Sequence, residues 1–240
     1  MRVSVLLLTV VLVLSACVST PVPQPAPNDA ELAGRARQAV QNFAIVVDRV
    51  EPVAEQVCRE RTPRQNCDFG IFVDRDPRSG VNAFQTVDPA GRPAIIFTLG
   101  LIAEARNTDE LAFIMGHEAG HHIAQHLLQQ QARSVEGARV FSDVARQSGA
   151  NARQITEAAQ LGSFVASRQF GQQAELEADA IGTAIALRAG FDPLIGAEFF
   201  TRIPDPDDPF LSTHPPNAAR VGVVRGTVRQ IRNEGGAPGT

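Results

Sequence analysis

The sequence contains no tryptophan, no tyrosine and no lysine, and all 22 of its basic residues are arginines. Without tyrosine, a hydrolytic site in this chain must find another donor for a developing oxyanion. The net charge of −4 carries no basic footprint, so a nucleic-acid partner is not expected. No apolar run reaches the ~20 residues that a membrane-spanning helix requires. Cysteine is limited to three residues and histidine to five. What remains is ordinary globular composition, 44% hydrophobic and 20% charged, enough for one or two domains.

Those few cysteines are informative. Met1-Arg2 is followed by an apolar run, Val3 to Leu14, and then by Leu14-Ser15-Ala16-Cys17. This describes a secretory signal over residues 1–16, and the cysteine after Leu-Ser-Ala resembles a bacterial lipobox. Cleavage would then precede a lipidated Cys17; plain secretion is the alternative. Val18 is not an inner-membrane retention aspartate, so the expected site is the periplasmic face of a Gram-negative outer membrane. Val18 to Asn28 holds four prolines and favours an extended tether, giving residues 17–30 as lipidated cysteine and spacer. Cys58 and Cys67 remain, nine positions apart in an exported chain, and favour a disulfide over two free thiols.

The pattern changes near residue 31, and residues 31–240 read as one folded domain. Ala30 to Val57 is expected to be helical, with Leu32, Ala36, Val40, Phe43 and Val47 on one apolar face. Gly70–Asp74, Val81–Val87 and Pro93–Thr98 are expected strands, separated by Asp/Pro/Gly turns. They predict a small, largely antiparallel three-stranded sheet. Asn107 to Glu110 carries a capping-box signature that opens a helix running past His126. Gln129 to Phe170 reads as helix broken near Gly149, and Gln172 to Arg188 as a second helix ended by Gly190. Phe191 to Phe200 is a short helix, Pro204 to Pro209 a loop, and Asn217 to Arg232 a final helix. The fold class is therefore α+β, mainly helical.

Four of the five histidines fall within His117 to His126. His117-Glu118-Ala119-Gly120-His121 places two imidazoles four residues apart, roughly 40° from alignment on a helix, so both can face one ion. Glu118 sits one step round, where it can hold a water: two ligands, an open place and an adjacent base. His122 and His126 lie about 140° and 180° from His117 on a regular helix, so packing or hydrogen bonding behind the site is their expected role. A third ligand must come from elsewhere. Glu175 and Asp179 share a helical face, so Glu175 can bind the ion while Asp179 orients a ligand histidine; a solvated acidic face is the alternative.

Several stretches now carry a resemblance. Val81-Asn82-Ala83-Phe84, Phe97-Thr98-Leu99-Gly100-Leu101-Ile102, Glu110-Leu111-Ala112 leading into His117–His121, Glu175 to Asp179, and Thr213-His214-Pro215-Pro216 resemble the HtpX/Oma-like zinc metallopeptidases. These are gluzincins related to the CAAX-prenyl endopeptidases. The resemblance spans about Val81 to Arg220. It implies one zinc held by His117, His121 and Glu175, with Glu118 as catalytic base and Asp179 behind the ligands. It also implies a mainly helical fold whose edge strand aligns an extended polypeptide substrate. Many relatives carry membrane helices or helical repeats, and neither is seen here. The expected function is endopeptidase action on unfolded or misassembled envelope proteins, with outer-membrane assembly machinery as a candidate partner. A zinc-stabilised chaperone without turnover is the rival. His214 either donates to the oxyanion, latches the open zinc position, or shapes its His-Pro turn. Arg220 is a further candidate electrophile.

Overall fold

A computed structural model describes residues 28–205 and 214–235. The expected signal segment, Cys17, most of the tether and most of the Pro204–Pro209 loop lie outside the described residues. Helix α1, Asp29–Arg61, begins inside the expected tether because the Asn28 side chain and Glu31 close a reciprocal capping box. Its apolar face is not the one expected along its whole length. Leu32 and Val40 are exposed, and burial starts further on, at Val46, Val50, Ala54 and Val57. The last turn is tied through the Cys58–Cys67 disulfide to the chain that enters the sheet.

The sheet consists of β1 (Gly70–Asp74), β2 (Ala83–Val87) and β3 (Pro93–Thr98), in the order β1-β3-β2. It is mixed, which corrects the largely antiparallel expectation. β2 pairs antiparallel with β3 across the Asp88–Arg92 turn, whereas β1 runs parallel to β3. The parallel pairing follows from the connection: residues 75–82 carry the chain past the place β3 will fill. β3 is central and buried through Ile95 and Phe97. β2 starts at Ala83, two residues later than expected, and stands at the sheet edge beside the histidine helix.

After the short α2 (Leu99–Glu104), α3 spans Thr108–Ile123, and all but three of its 16 residues are buried. Asn107 caps it by accepting from the Glu110 N–H at 2.9 Å. The expected capping box is only half formed. Glu110 instead accepts from the Arg106 N–H and from both terminal nitrogens of Arg202, at 2.6 and 2.8 Å, a bidentate pair in which Glu110 is buried and Arg202 partly exposed. The helix does not run past His126. It ends at Ile123, Gln125 adopts a left-handed conformation (φ 58°), and α4 restarts at His126 and continues to Gln147.

The break near Gly149 is where it was expected, and α5 then runs unbroken from Ala152 to Arg188, absorbing the two segments read separately. α4 and the first half of α5 form a hairpin in which Gly137 lies directly on Gly162. The second half of α5 crosses α3. A Cβ on Gly182 would stand 2.6 Å from the His117 nitrogen, and one on Gly116 would stand 2.9 Å from the Gly182 carbonyl oxygen. Gly190 (φ 80°) ends α5 as expected. The expected helix at Phe191–Phe200 is a short α6, Pro193–Gly196, with a 3-10 turn to Thr201. α7, Asn217–Gly235, returns across α5.

Because Gly182 touches backbone and not a movable side chain, Gly182→Ala should destabilise the protein by about 1–3 kcal/mol. Gly222→Ala on α7, with open space around it, should be neutral or stabilising by up to ~1 kcal/mol. Urea unfolding of the two variants checks this, and equal stability for both would refute the close approach.

Candidate metal centre

The α3–α5 crossing brings three expected ligands to one point. The Nε2 atoms of His117 and His121 are 3.0 Å apart. The Glu175 oxygens lie 3.5 Å from His117 Nε2 and 3.3 Å from His121 Nε2. A tetrahedral ion bonded at about 2.0–2.1 Å spaces its ligand atoms by about 3.3 Å, and the two imidazoles with the two oxygens of Glu175 lie close to that spacing. It is also the only His/Cys/Asp/Glu group with ligand spacing found among the described residues.

Behind the ligands stands a charged layer. The His117 Nδ1–H donates to Asp179 Oδ1 at 2.9 Å, which leaves Nε2 with its lone pair toward the ion. Asp179 is fully buried and is clamped by Arg220, whose Nε and Nη2 donate at 2.8 and 2.7 Å. Arg220 also stacks on Phe200 at 3.8 Å and approaches Glu175 to 3.4 Å. These contacts make Arg220 a clamp on Asp179, and it also lines the cleft, with Nη2 3.4 Å from His117 Nε2, at the place the electrophile role expected from sequence would require. Burial, then the Arg220 charge, lowers the proton affinity of His117, which keeps it neutral as a ligand must be. Burial alone would raise Glu175, but the His121 hydrogen bond and the His117 and Arg220 charges outweigh it and hold its carboxyl well below the usual range.

Glu118 faces the same cleft with no cation clamped to it. Burial, helped by the Glu175 charge, raises its carboxyl from 4.5 to about 7, against the pull of His121 and Arg220. A group poised there can take and return a proton near neutral pH.

The two remaining helix histidines separate. His122 Nε2 donates to the Asn66 carbonyl at 2.8 Å and packs edge-on to Phe69, so it ties α3 to the disulfide loop. His126 instead meets the site: its Nδ1 is 2.9 Å from the Nδ1 of His121. The helical wheel missed this because it assumed an unbroken helix, and no glycine or proline marks Gln125 as the break. His214 is 61% exposed, with Nε2 3.9 Å from Glu175 Oε2. It lines, with Asn82, Phe84, Gln85, Phe170 and Ala174, a cleft of about 580 Å³ beside the outer edge of β2.

Residues 43–228 match the model of peptidase family M48. A putative β-barrel assembly-enhancing protease of Vibrio cholerae is 32% identical over 178 residues, 68% of this chain and 35% of that protein. The mitochondrial metalloendopeptidase OMA1 of Arabidopsis thaliana is 30% identical over 144 residues, 58% of this chain and 28% of that protein. The β-barrel assembly-enhancing protease of Escherichia coli is 29% identical over 159 residues, 58% of this chain and 31% of that protein. The chain thus spans about a third of the length of these relatives.

The Glu118 environment has a thermodynamic consequence. Below pH 4.5 the carboxyl is protonated in both folded and unfolded chains. Between 4.5 and about 7 the unfolded chain releases the proton while the folded one keeps it, so stability falls as pH rises through this window. Above it the penalty is constant. Metal-free wild type should therefore lose roughly 1–3 kcal/mol relative to Glu118→Gln between pH 4.5 and 8. Parallel urea-unfolding curves for the two proteins would contradict this.

Proposed function

The chain belongs to peptidase family M48, and on that footing we propose that it is a zinc-dependent endopeptidase. Its proposed substrates are unfolded or misassembled proteins of the cell envelope. The observation that carries this reading is the convergence of His117, His121 and Glu175 with Glu118 alongside, at the edge of an open cleft.

The bound ion would supply Lewis acidity and make water a competent nucleophile near neutral pH. The chain's own groups do the rest. Asp179 and Arg220 hold His117 in the tautomer that presents Nε2. Glu118 takes the proton of the attacking water and returns it to the leaving amine. Among the described residues no strand pairs with the outer edge of β2, on which an extended substrate can form an added strand, and this favours unfolded chains over folded ones. Two of the relatives bear names that refer to β-barrel assembly, which makes unfolded outer-membrane proteins the first substrate to test. No helix among the described residues is long and apolar enough to cross a membrane. Attachment is assigned to acylated Cys17, with the domain in the periplasm at the outer membrane. Palmitate label should enter wild type and be lost in Cys17→Ala; equal label in both would refute the anchor.

His214 stands beside the ligand group on an exposed ring, and we assign it to the latch role: at rest its imidazole would take the open ligand position. One assay examines base and latch together. Cleavage of casein or an unfolded outer-membrane protein should be abolished by chelator and restored by zinc. Glu118→Gln should lower turnover by roughly 10²–10⁴ while zinc stays bound. Full activity in Glu118→Gln, or no cleavage by wild type, would favour the chaperone reading. His214→Ala should raise basal cleavage. A loss of about 10²–10³ would assign it to the oxyanion instead.

A further inference from the structure

The two ligand histidines are supported differently. His117 leans on a buried carboxylate, Asp179, whereas His121 has no acidic partner at its Nδ1. What faces that atom is another imidazole, His126, 4% exposed and 2.9 Å away. The rings meet nearly edge to face, with centroids 5.0 Å apart, and Phe170 closes the far side of His126. The remaining nitrogen of His126, Nε2, lies 3.4 Å from Glu177 Oε2.

We propose that His126 is a positioning residue of the metal centre, accepting the Nδ1–H of His121 and thereby turning that ring's Nε2 lone pair toward the ion. This rests on the zinc reading above. The support is tautomeric. Two neutral Nδ1 atoms at 2.9 Å must share one proton, so one ring donates and the other accepts. If His121 donates, its Nε2 is bare and faces Glu175 and His117, as a ligand requires. His126 then accepts at Nδ1 and carries its own proton on Nε2, where it meets the Glu177 carboxylate. With a cation between His117, His121 and Glu175, every contact is then satisfied; without it, the Nε2 of His121 carries a proton toward Glu175 instead. In the reverse arrangement the bare Nε2 of His126 would face the Glu177 oxygens, lone pair against negative charge, and the proton of His121 would occupy the ligand position. The Glu177 contact at 3.4 Å thus favours this direction of the pair.

The Glu175-Leu176-Glu177-Ala178-Asp179 segment then gains a use for each acidic residue. Glu175 is a ligand, Asp179 orients the first histidine directly, and Glu177 orients the second through His126. The arrangement depends on the left-handed Gln125, which swings His126 out of the α3 register and onto His121.

Zinc affinity of the full chain, measured by competition with a chelator, tests the proposal. Removing such a support costs about 10–100-fold in metal affinity, and His126→Leu should show that loss. His126→Asn, whose Oδ1 stands where the imidazole Nδ1 stood, should recover most of it. A purely structural role predicts the opposite order, since Leu fills the buried space beside Phe170 and Asn does not. The melting temperature of each metal-free variant separates weakened binding from unfolding. A second readout needs no variant. In zinc-loaded, 15N-labelled wild type, His121 should carry its proton on Nδ1 and His126 on Nε2. Wild-type affinity in His126→Leu, equal losses in the Leu and Asn variants, or the opposite tautomers would each overturn the inference and leave the metal centre intact. Zinc bound equally by wild type and His117→Ala would overturn the metal-centre reading, and this inference with it.

Discussion

The backbones of α3 and α5 meet where Gly116 lies on Gly182 and Gly120 on Ala178, with no large side chain between them. Helices separated by ordinary side chains stand 8–10 Å apart. At that distance Glu175 and Asp179 would fall short of His117. The small residues let the helices close until one carboxylate joins the imidazoles and another stands behind them. Two residues of the histidine motif that do no chemistry, Ala119 and Gly120, are part of this. Both are buried, and the missing Cβ of Gly120 makes room for the α5 backbone.

That closeness creates an electrostatic problem, because it removes two carboxylates from water. An unpaired buried charge costs several kcal/mol. Arg220 meets the need from α7, binding Asp179 through two nitrogens and leaning toward Glu175. The same contact fixes α7 against the site, helped by the stack on Phe200. Glu118, one helical step away, has no such clamp, and its carboxyl rises to about 7 while that of Asp179, against the opposing effect of burial, is held down by Arg220 and His117. One small volume therefore holds carboxylates of opposite habit. Those that must stay charged are paired with cations, and the one that must exchange a proton is left to burial.

The break at Gln125 distributes the rest. It ends the ligand helix just after the second histidine, returns His126 to the site and sends the α4–α5 hairpin off beside the cleft. The hairpin adds Leu127 and Phe170 to the lining of the cleft, so apolar side chains stand there beside the strand edge. A backbone conformation unusual for a residue other than glycine is held here by local polar contacts. The Gln125 side chain donates to Gln65, and Gln129 donates to the Ala124 carbonyl.

Local rules reached a good part of this molecule. Turn residues and alternation placed β1 and β3 to the residue, the caps at Asn107 and Gly190 were visible, and the spacing of His117, Glu118 and His121 identified a candidate site. Such features are decided by neighbours within a few positions, where helix period, turn chemistry and capping operate. Other features turn on distant partners. The parallel pairing of β1 with β3 is set by the path of the chain, and the exposure of Leu32 and Val40 by where the body of the protein ends. Arg220 became a clamp because a helix some forty residues beyond Asp179 folds back onto it. The meeting of His126 with His121 depends on one backbone dihedral that no residue type announces. The sequence by itself determined which residues could bind an ion and which helices carry them. Only the tertiary structure decided how close those helices stand, which charge neutralises which, and which ring turns the other, because all three are matters of contact between segments far apart in the chain.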